Sequence, residues 1–250
     1  MNNDVLNYAL RLGDDSLILG HRLSEWCSRA PFLEEDLALA NTALDYIGRA
    51  RMYYGYAAKL ADDGRSEDDF AFMRDQRAFS NLLIYELPRG DFAFTMVRQW
   101  FVDVYNSLFL MELNQSTDPG LSGIASKAIK ETHYHLRRSR EWILRFGLGT
   151  EESKHRAQSA LDEIWGYTHE LFEVDELERA LIDSGIGVDC EALEAHWHQQ
   201  VAGTLAEAGL TKPEASWVVR GGREGYHTES LGQLLNEMQS VHRAYPGVKW

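Results

Sequence analysis

Five acidic positions in this chain stand at intervals that suit metal chemistry. Asp14 and its neighbour Asp15 come first, followed by Asp45, Asp103 and Glu131. Asp14 and Asp45 are 31 residues apart, Asp103 and Glu131 are 28, and the gap from Asp45 to Asp103 is 58. A two-metal site inside a helical bundle takes one carboxylate from each of two helices and a Glu-x-x-His pair from each of the other two. Intervals near thirty fit two helical hairpins, and the longer gap fits a crossover between them. Three residues after Asp45, however, stands Gly48, and three after Glu131 stands Tyr134. Glu-x-x-His works because residues three apart share a helix face, so carboxylate and imidazole converge on one ion. Gly48 offers no side chain. The Tyr134 phenol suits ferric iron, but nothing matches it on the other hairpin. Asp45 and Asp103 are each a methylene shorter than Glu, and oxygen ligands alone suit a harder cation such as magnesium. The pattern describes the frame of a dinuclear iron site with its histidines missing. It predicts no metal and no catalytic residue in this chain. The remaining acids Asp45, Asp103 and Glu131 are expected to form a polar cluster with Arg49, His135 or Tyr134, because buried carboxylates are costly unless paired.

Other histidines do not repair the pattern. His135 lies four residues after Glu131 and shares its face, which serves one hairpin only. Glu152–His155 and Glu224–His227 have the right spacing. The first falls in a charged opening turn and the second in a glycine-rich loop, so neither is expected to bind metal. No nucleophile elbow, phosphate-binding loop or dinucleotide glycine fingerprint occurs.

The elements that must carry these positions read as helices. Five prolines, at 31, 88, 119, 213 and 246, interrupt helical patterns. Helices are expected over about 4–27, 33–60, 68–86, 92–116, 119–147, 151–172, 175–184 and 190–208, with a last helix capped by Thr228. In the second, Leu37, Ala40, Leu44, Ile47 and Arg51 track one face. Residues 92–113 are apolar around more than one face, which places that helix centrally in a bundle or under a second protein. No stretch alternates as a strand does. The fold expected is all-α, a ferritin-like helical bundle of two long hairpins plus extra C-terminal helices. A single domain over 1–250 is expected, with its core bundle at about 4–147 and additional helices at about 151–250.

Composition narrows the function. A net charge of −14 disfavours nucleic acid as a partner. Local basic stretches at His133–Arg140 and Arg220–Arg223 remain candidates for an anion. No apolar run reaches the ~18 residues of a membrane span, and the start Met1-Asn-Asn-Asp4 lacks a signal-peptide pattern. Cys27 and Cys190 make neither a disulfide framework nor a zinc site. A cytoplasmic protein is expected.

Several blocks carry a family resemblance. They are Tyr8–Asp14, Asp36–Asn41, Arg77–Leu82, Lys127–Glu131 with Tyr134–Arg137, His227–Gly232 and the ending Pro246–Trp250. Together they resemble the family of C subunits of bacterial phenylacetyl-CoA epoxidases over essentially the whole chain. The resemblance implies a multicomponent di-iron monooxygenase of aerobic phenylacetate breakdown. In it, the catalytic A subunit holds the iron and epoxidises the ring of phenylacetyl-CoA, and a reductase subunit brings electrons from NADPH. The C subunit is the ferritin-like sister that binds the catalytic one and supports it. The resemblance also implies that two segments lie near the CoA part of the substrate: Ala78, Phe79, Ser80 and Asn81, and Glu178, Arg179 and Ala180. The other readings of the residues are an independent ferritin-like enzyme using His135 and Tyr134, and a helical binding module.

Overall fold

A computed structural model describes residues 2–214 and 217–248. The last two residues of the Pro246–Trp250 block lie outside them. The helices are α1 (Asn2–Ser24), α2 (Leu33–Ala61), α3 (Glu67–Phe72), α4 (Leu83–Glu86), α5 (Phe92–Leu113), α6 (Pro119–Gly147), α7 (Glu151–Ile164), α8 (Glu176–Asp183), α9 (Cys190–Ala208) and α10 (Glu229–Ala244). No strand occurs among the described residues. The fold is all-α, with the two long helical hairpins of the ferritin-like plan. No helix is long and apolar enough to cross a membrane among the described residues. The chain divides into two compact units, Met1–Pro88 with Gly221–Trp250, and Arg89–Arg220.

In the first unit α1 and α2 form an antiparallel hairpin. The two helices approach closely at Gly13, where an added Cβ would stand 2.5 Å from the Tyr54 ring. The inner face of α2 carries Leu39, Ala43, Tyr46, Ala50, Tyr53 and Ala57. The row that Leu37, Leu44 and Arg51 track is the outer one: Leu37 is 57% exposed and Leu44 64%, and Arg51 is exposed as well. Both rows have helical spacing, so period alone does not choose between them. The inner row carries the larger side chains, since Tyr46 and Tyr53 bring both packing area and a polar tip.

The helix expected over 68–86 is broken. α3 ends at Phe72, a 3₁₀ turn spans Gln76–Ala78, and helix resumes only at Leu83. The cause is tertiary. The backbone N–H groups of Ser80 and Leu82 donate to Asp14 and Asp15 of α1, at 2.9 and 2.8 Å. Those donors satisfy carboxylates instead of closing helical turns. α10 packs on this strap, and Gln239 donates to the Ala71 and Arg74 carbonyls. Thr228 precedes α10, but its side chain makes no cap. Its N–H donates to Glu86 instead.

In the second unit α5 pairs with α6 and is covered by α7 and α9 of the same unit. Eighteen of its 22 residues are buried, so the chain itself encloses the helix that reads as apolar all round. The Trp197 indole N–H donates to the Phe101 carbonyl at 3.0 Å. α6 starts where Asp118 caps the Leu121 N–H and Pro119 needs no hydrogen-bond partner. The helix expected to run to 172 stops at Ile164 and continues as 3₁₀ turns. At that point Gly166 lies against Trp217, leaving no room for a side chain.

Candidate functional site

One acid on the first helix of each hairpin, Asp14 on α1 and Asp103 on α5, is buried near mid-helix, and each unit has its own arrangement. In the first unit Asp14 is fully buried. It accepts from the Tyr54 hydroxyl at 2.6 Å, from both terminal nitrogens of Arg74, and from the N–H and hydroxyl of Ser80. Burial and the neighbouring Asp14 carboxylate hold the Tyr54 phenol well above its ordinary pKa, so it stays a donor. Asp15 accepts from both terminal nitrogens of Arg223, at 3.1 and 2.8 Å, and from the Leu82 N–H. Burial raises the Asp15 pKa, and Arg223 partly offsets this. Apart from the Tyr54 bond, which ties α2 to α1, these contacts fasten loops to α1.

A second buried node lies in the same unit. Glu86 accepts from Asn81 at 2.9 Å and from the Thr228 N–H, and faces His227 Nδ1 at 2.8 Å. His227 Nε2 lies 2.9 Å from the Phe79 carbonyl. Both ring nitrogens meet acceptors, which favours the imidazolium. Burial lowers the His227 pKa, but the bonds to Glu86 and Phe79 outweigh it and the net direction is upward. The Glu224–His227 string is therefore part of a clamp. The loop before it needs its glycines: Gly225 has φ +77°, and a Cβ there would lie 2.6 Å from the Arg77 carbonyl.

In the second unit Asp103 is fully buried. It accepts from Gln99 at 2.7 Å and from Ser139 at 2.7 Å. Arg98 is also fully buried on α5.

Of the positions expected at Asp45, Gly48, Glu131 and Tyr134, none is fully buried. Gly48 is exposed and a Cβ there would meet nothing within 4 Å, while Asp45 is half-buried. Tyr134 is 46% exposed and Glu131 half-buried. Next to these positions, Tyr46 with Arg49 and Thr132 with His135 are buried pairs three apart. A helix turns ~100° per residue, so a slip of one moves a side chain to another face. The Arg49 guanidinium lies 4.7 Å from the Tyr46 ring centre. No group of three or more His, Cys, Asp or Glu side chains converges as metal ligands do, among the described residues. Asp103, expected in a cluster with Asp45 and Glu131, takes hydrogen bonds from Gln99 and Ser139.

The segments implied near CoA fall one in each unit. Ala78 is exposed, Phe79 buried, Ser80 held by Asp14 and Asn81 held by Glu86. Glu178 closes the capping box of α8 with Asp175, Arg179 pairs with Glu191 at 3.1 Å, and Ala180 is exposed. The Arg220–Arg223 stretch does not form an anion cradle: Arg220 pairs with Glu173 and Arg223 with Asp15. Sequence reasoning missed Tyr54, Arg74 and Glu86. Their signal is weak, since each pairs with a residue 40 or more positions away.

Hairpins of this length, with buried acids at mid-helix, define a ferritin-like helical protein. The chain belongs to the phenylacetic acid catabolic protein family, whose profile matches residues 1–250. It is 48% identical over 248 residues to the C subunit of the 1,2-phenylacetyl-CoA epoxidase of Escherichia coli (strain K12), covering 99% of this chain and 100% of that relative.

Proposed function

We propose that this chain is the non-catalytic structural subunit of a multicomponent di-iron monooxygenase that epoxidises the aromatic ring of phenylacetyl-CoA. It binds and stabilises the catalytic A subunit. Iron resides in that sister, electrons arrive from NADPH through a reductase, and this chain holds no cofactor. The assembly half of the reading is supported by the 48% identity to a protein named as an epoxidase subunit. The non-catalytic half is supported by one observation, the identity of the buried pairs three apart. Tyr46 with Arg49 and Thr132 with His135 are buried pairs with the three-residue spacing that Glu-x-x-His uses, and neither pair contains a carboxylate. A guanidinium stays protonated in proteins and repels a metal cation. One imidazole does not replace two imidazoles and two carboxylates. These residues do not fit a dinuclear iron centre, and no chemical step is assigned to this chain.

The fixed charges of the first unit are instead paired in ways that hold loops. Asp14 and Asp15 fasten residues 74–82 and Arg223 to α1, which keeps the Ala78–Asn81 segment in one shape. In this reading the CoA part of the substrate lies near that segment and near Glu178–Ala180. Arg179 is the exposed cation of these segments for its phosphates. The exposed row Leu33, Leu37 and Leu44 of α2 is apolar surface of the kind that a partner protein covers.

Two measurements test the proposal. The purified chain, loaded with ferrous iron without oxygen and desalted, is expected to retain far less than one iron per chain by elemental analysis. Co-expressed with its catalytic sister, it is expected to elute with that sister, and the complex to retain iron. Two irons held by the isolated chain would overturn the non-catalytic role. Failure to co-elute would overturn the supporting one.

A further inference from the structure

The chain as a whole carries −14, yet residues 127–145 on α6 hold six Lys or Arg against two Glu. That stretch is net +4, and the rest of the protein is net −18. The cations are also sorted onto one side. Lys127, Lys130, Tyr134 and Arg137 recur at i, i+3, i+7 and i+10, which is one stripe of a helix, and all four are exposed. His133 is exposed beside them. Among the described residues no acid forms an ion pair with Lys127, Lys130 or Arg137. Other arginines of α6 are paired: Arg140 with Glu207 and Arg145 with Glu141. The Arg137 guanidinium instead lies 5.6 Å from the centre of the Tyr134 ring.

We propose that this stripe of α6 docks an Asp- and Glu-rich face of another protein of the assembly. The inference rests on the multisubunit reading above. Like charges three and four residues apart destabilise a helix slightly, so an uncompensated row works against the isolated chain. The same row gains on meeting an acidic surface, and it speeds the encounter by electrostatic steering. Tyr and Arg are residues that interfaces favour. From Lys127 to Arg137 the stripe is ~15 Å long, from the rise of ~1.5 Å per residue. A second copy of this chain is a poor occupant. Stripe against stripe sets like charges face to face, and stripe against an acidic face elsewhere makes a head-to-tail contact that need not close. Nucleic acid is disfavoured by the −18 of the remainder.

The test uses the whole chain immobilised and each other subunit of the assembly in solution, at low and at high salt. For one of those subunits, K127E/K130E/R137E is expected to slow association at low salt about tenfold or more and to remove most of the salt dependence. The neutral K127A/K130A/R137A is expected to move both quantities in the same direction by less. Unchanged thermal melts of the neutral variant establish that the effect is not unfolding. A control, K59E/R156E/K212E, reverses the same charge elsewhere and is expected to bind nearly as the parent does. If the control slows as much as the stripe variant, net charge is responsible and the stripe is overturned. Association that ignores both stripe variants, whichever subunit is tried, also overturns it, while leaving the assembly reading intact. Association of the parent with none of the subunits removes both. Competition by duplex DNA or inorganic diphosphate at the stripe would assign it to a different ligand and overturn the docking role.

Discussion

The buried acids of the two hairpin units accept from different kinds of donor. In the α1–α2 unit the acids are matched with basic side chains: Asp14 takes Arg74, Asp15 takes Arg223, and Glu86 faces His227. In the α5–α6 unit Asp103 takes hydrogen bonds from two neutral side chains, Gln99 and Ser139. The first solution ties distant segments together, since Arg223 is 208 residues from Asp15. The second is local to its hairpin. The two kinds of bond carry different penalties when broken. Loss of one member of a charged pair strands the other, whereas loss of a neutral hydrogen bond costs far less.

The comparison breaks most visibly at Asp14. Asp14→Ala removes the acceptor for Arg74, Tyr54 and Ser80 at once. Stability is expected to fall by about 3–5 kcal/mol, the range for breaking a buried pair by removing one partner. Denaturant melts of the purified chain check this. Asp103→Ala is expected to cost about 1–3 kcal/mol, the range for leaving buried partners without their hydrogen bonds. A larger effect at Asp103 than at Asp14 would invert the contrast between the units.

The acids are legible in the sequence, but the faces they occupy are not. The intervals among Asp14, Asp45, Asp103 and Glu131 mark the hairpins, and Asp14 and Asp103 are fully buried. Asp45 and Glu131 share those intervals, yet the helix turns them away from the buried pairs by one position. On α2 the row Leu37, Leu44 and the row Leu39, Tyr46, Tyr53 have equivalent periods. Only the positions on α1 opposite them decide. Gly13 and Gly20 mark where α1 approaches α2, because an added Cβ at them would meet Tyr54 and Ile47. The non-helical backbone at residues 80–82 is illegible for a related reason. Local pattern favours helix there, and acceptors some 66 residues earlier in the chain take the backbone donors away.

His227 sharpens the contrast by pH. Its folded pKa is raised, so its pairing stabilises fully below the ordinary value of about 6.5 and fades as pH climbs through the raised one. The groups around it are the Glu86 carboxylate, the Phe79 carbonyl and, further off, Asp14. His227→Gln is expected to lower the melting temperature most below about pH 6.5 and progressively less as the solution becomes alkaline and the wild-type advantage is lost. A gap that is constant or widens with pH would show that the clamp does not depend on the imidazolium.

The smallest expected effect on stability separates binding from scaffold in the two segments implied near CoA. Asn81 is fully buried and holds Glu86, so Asn81→Ala disturbs the clamp and lowers the melting temperature whatever the substrate does. A raised Michaelis constant in that variant therefore carries no information about contact. Arg179 is different. Its side chain is 62% exposed and its pair with Glu191 is a surface one, so Arg179→Ala is expected to change stability by no more than about 0.5 kcal/mol. In the reconstituted enzyme the same variant is expected to raise the Michaelis constant for phenylacetyl-CoA severalfold with little change in kcat, the pattern of lost uniform binding. Glu191→Ala supplies the matching control. It frees Arg179 from its partner, so it should leave that constant unchanged or lower it. Equal Michaelis constants in Arg179→Ala and the parent would remove the second unit from substrate binding.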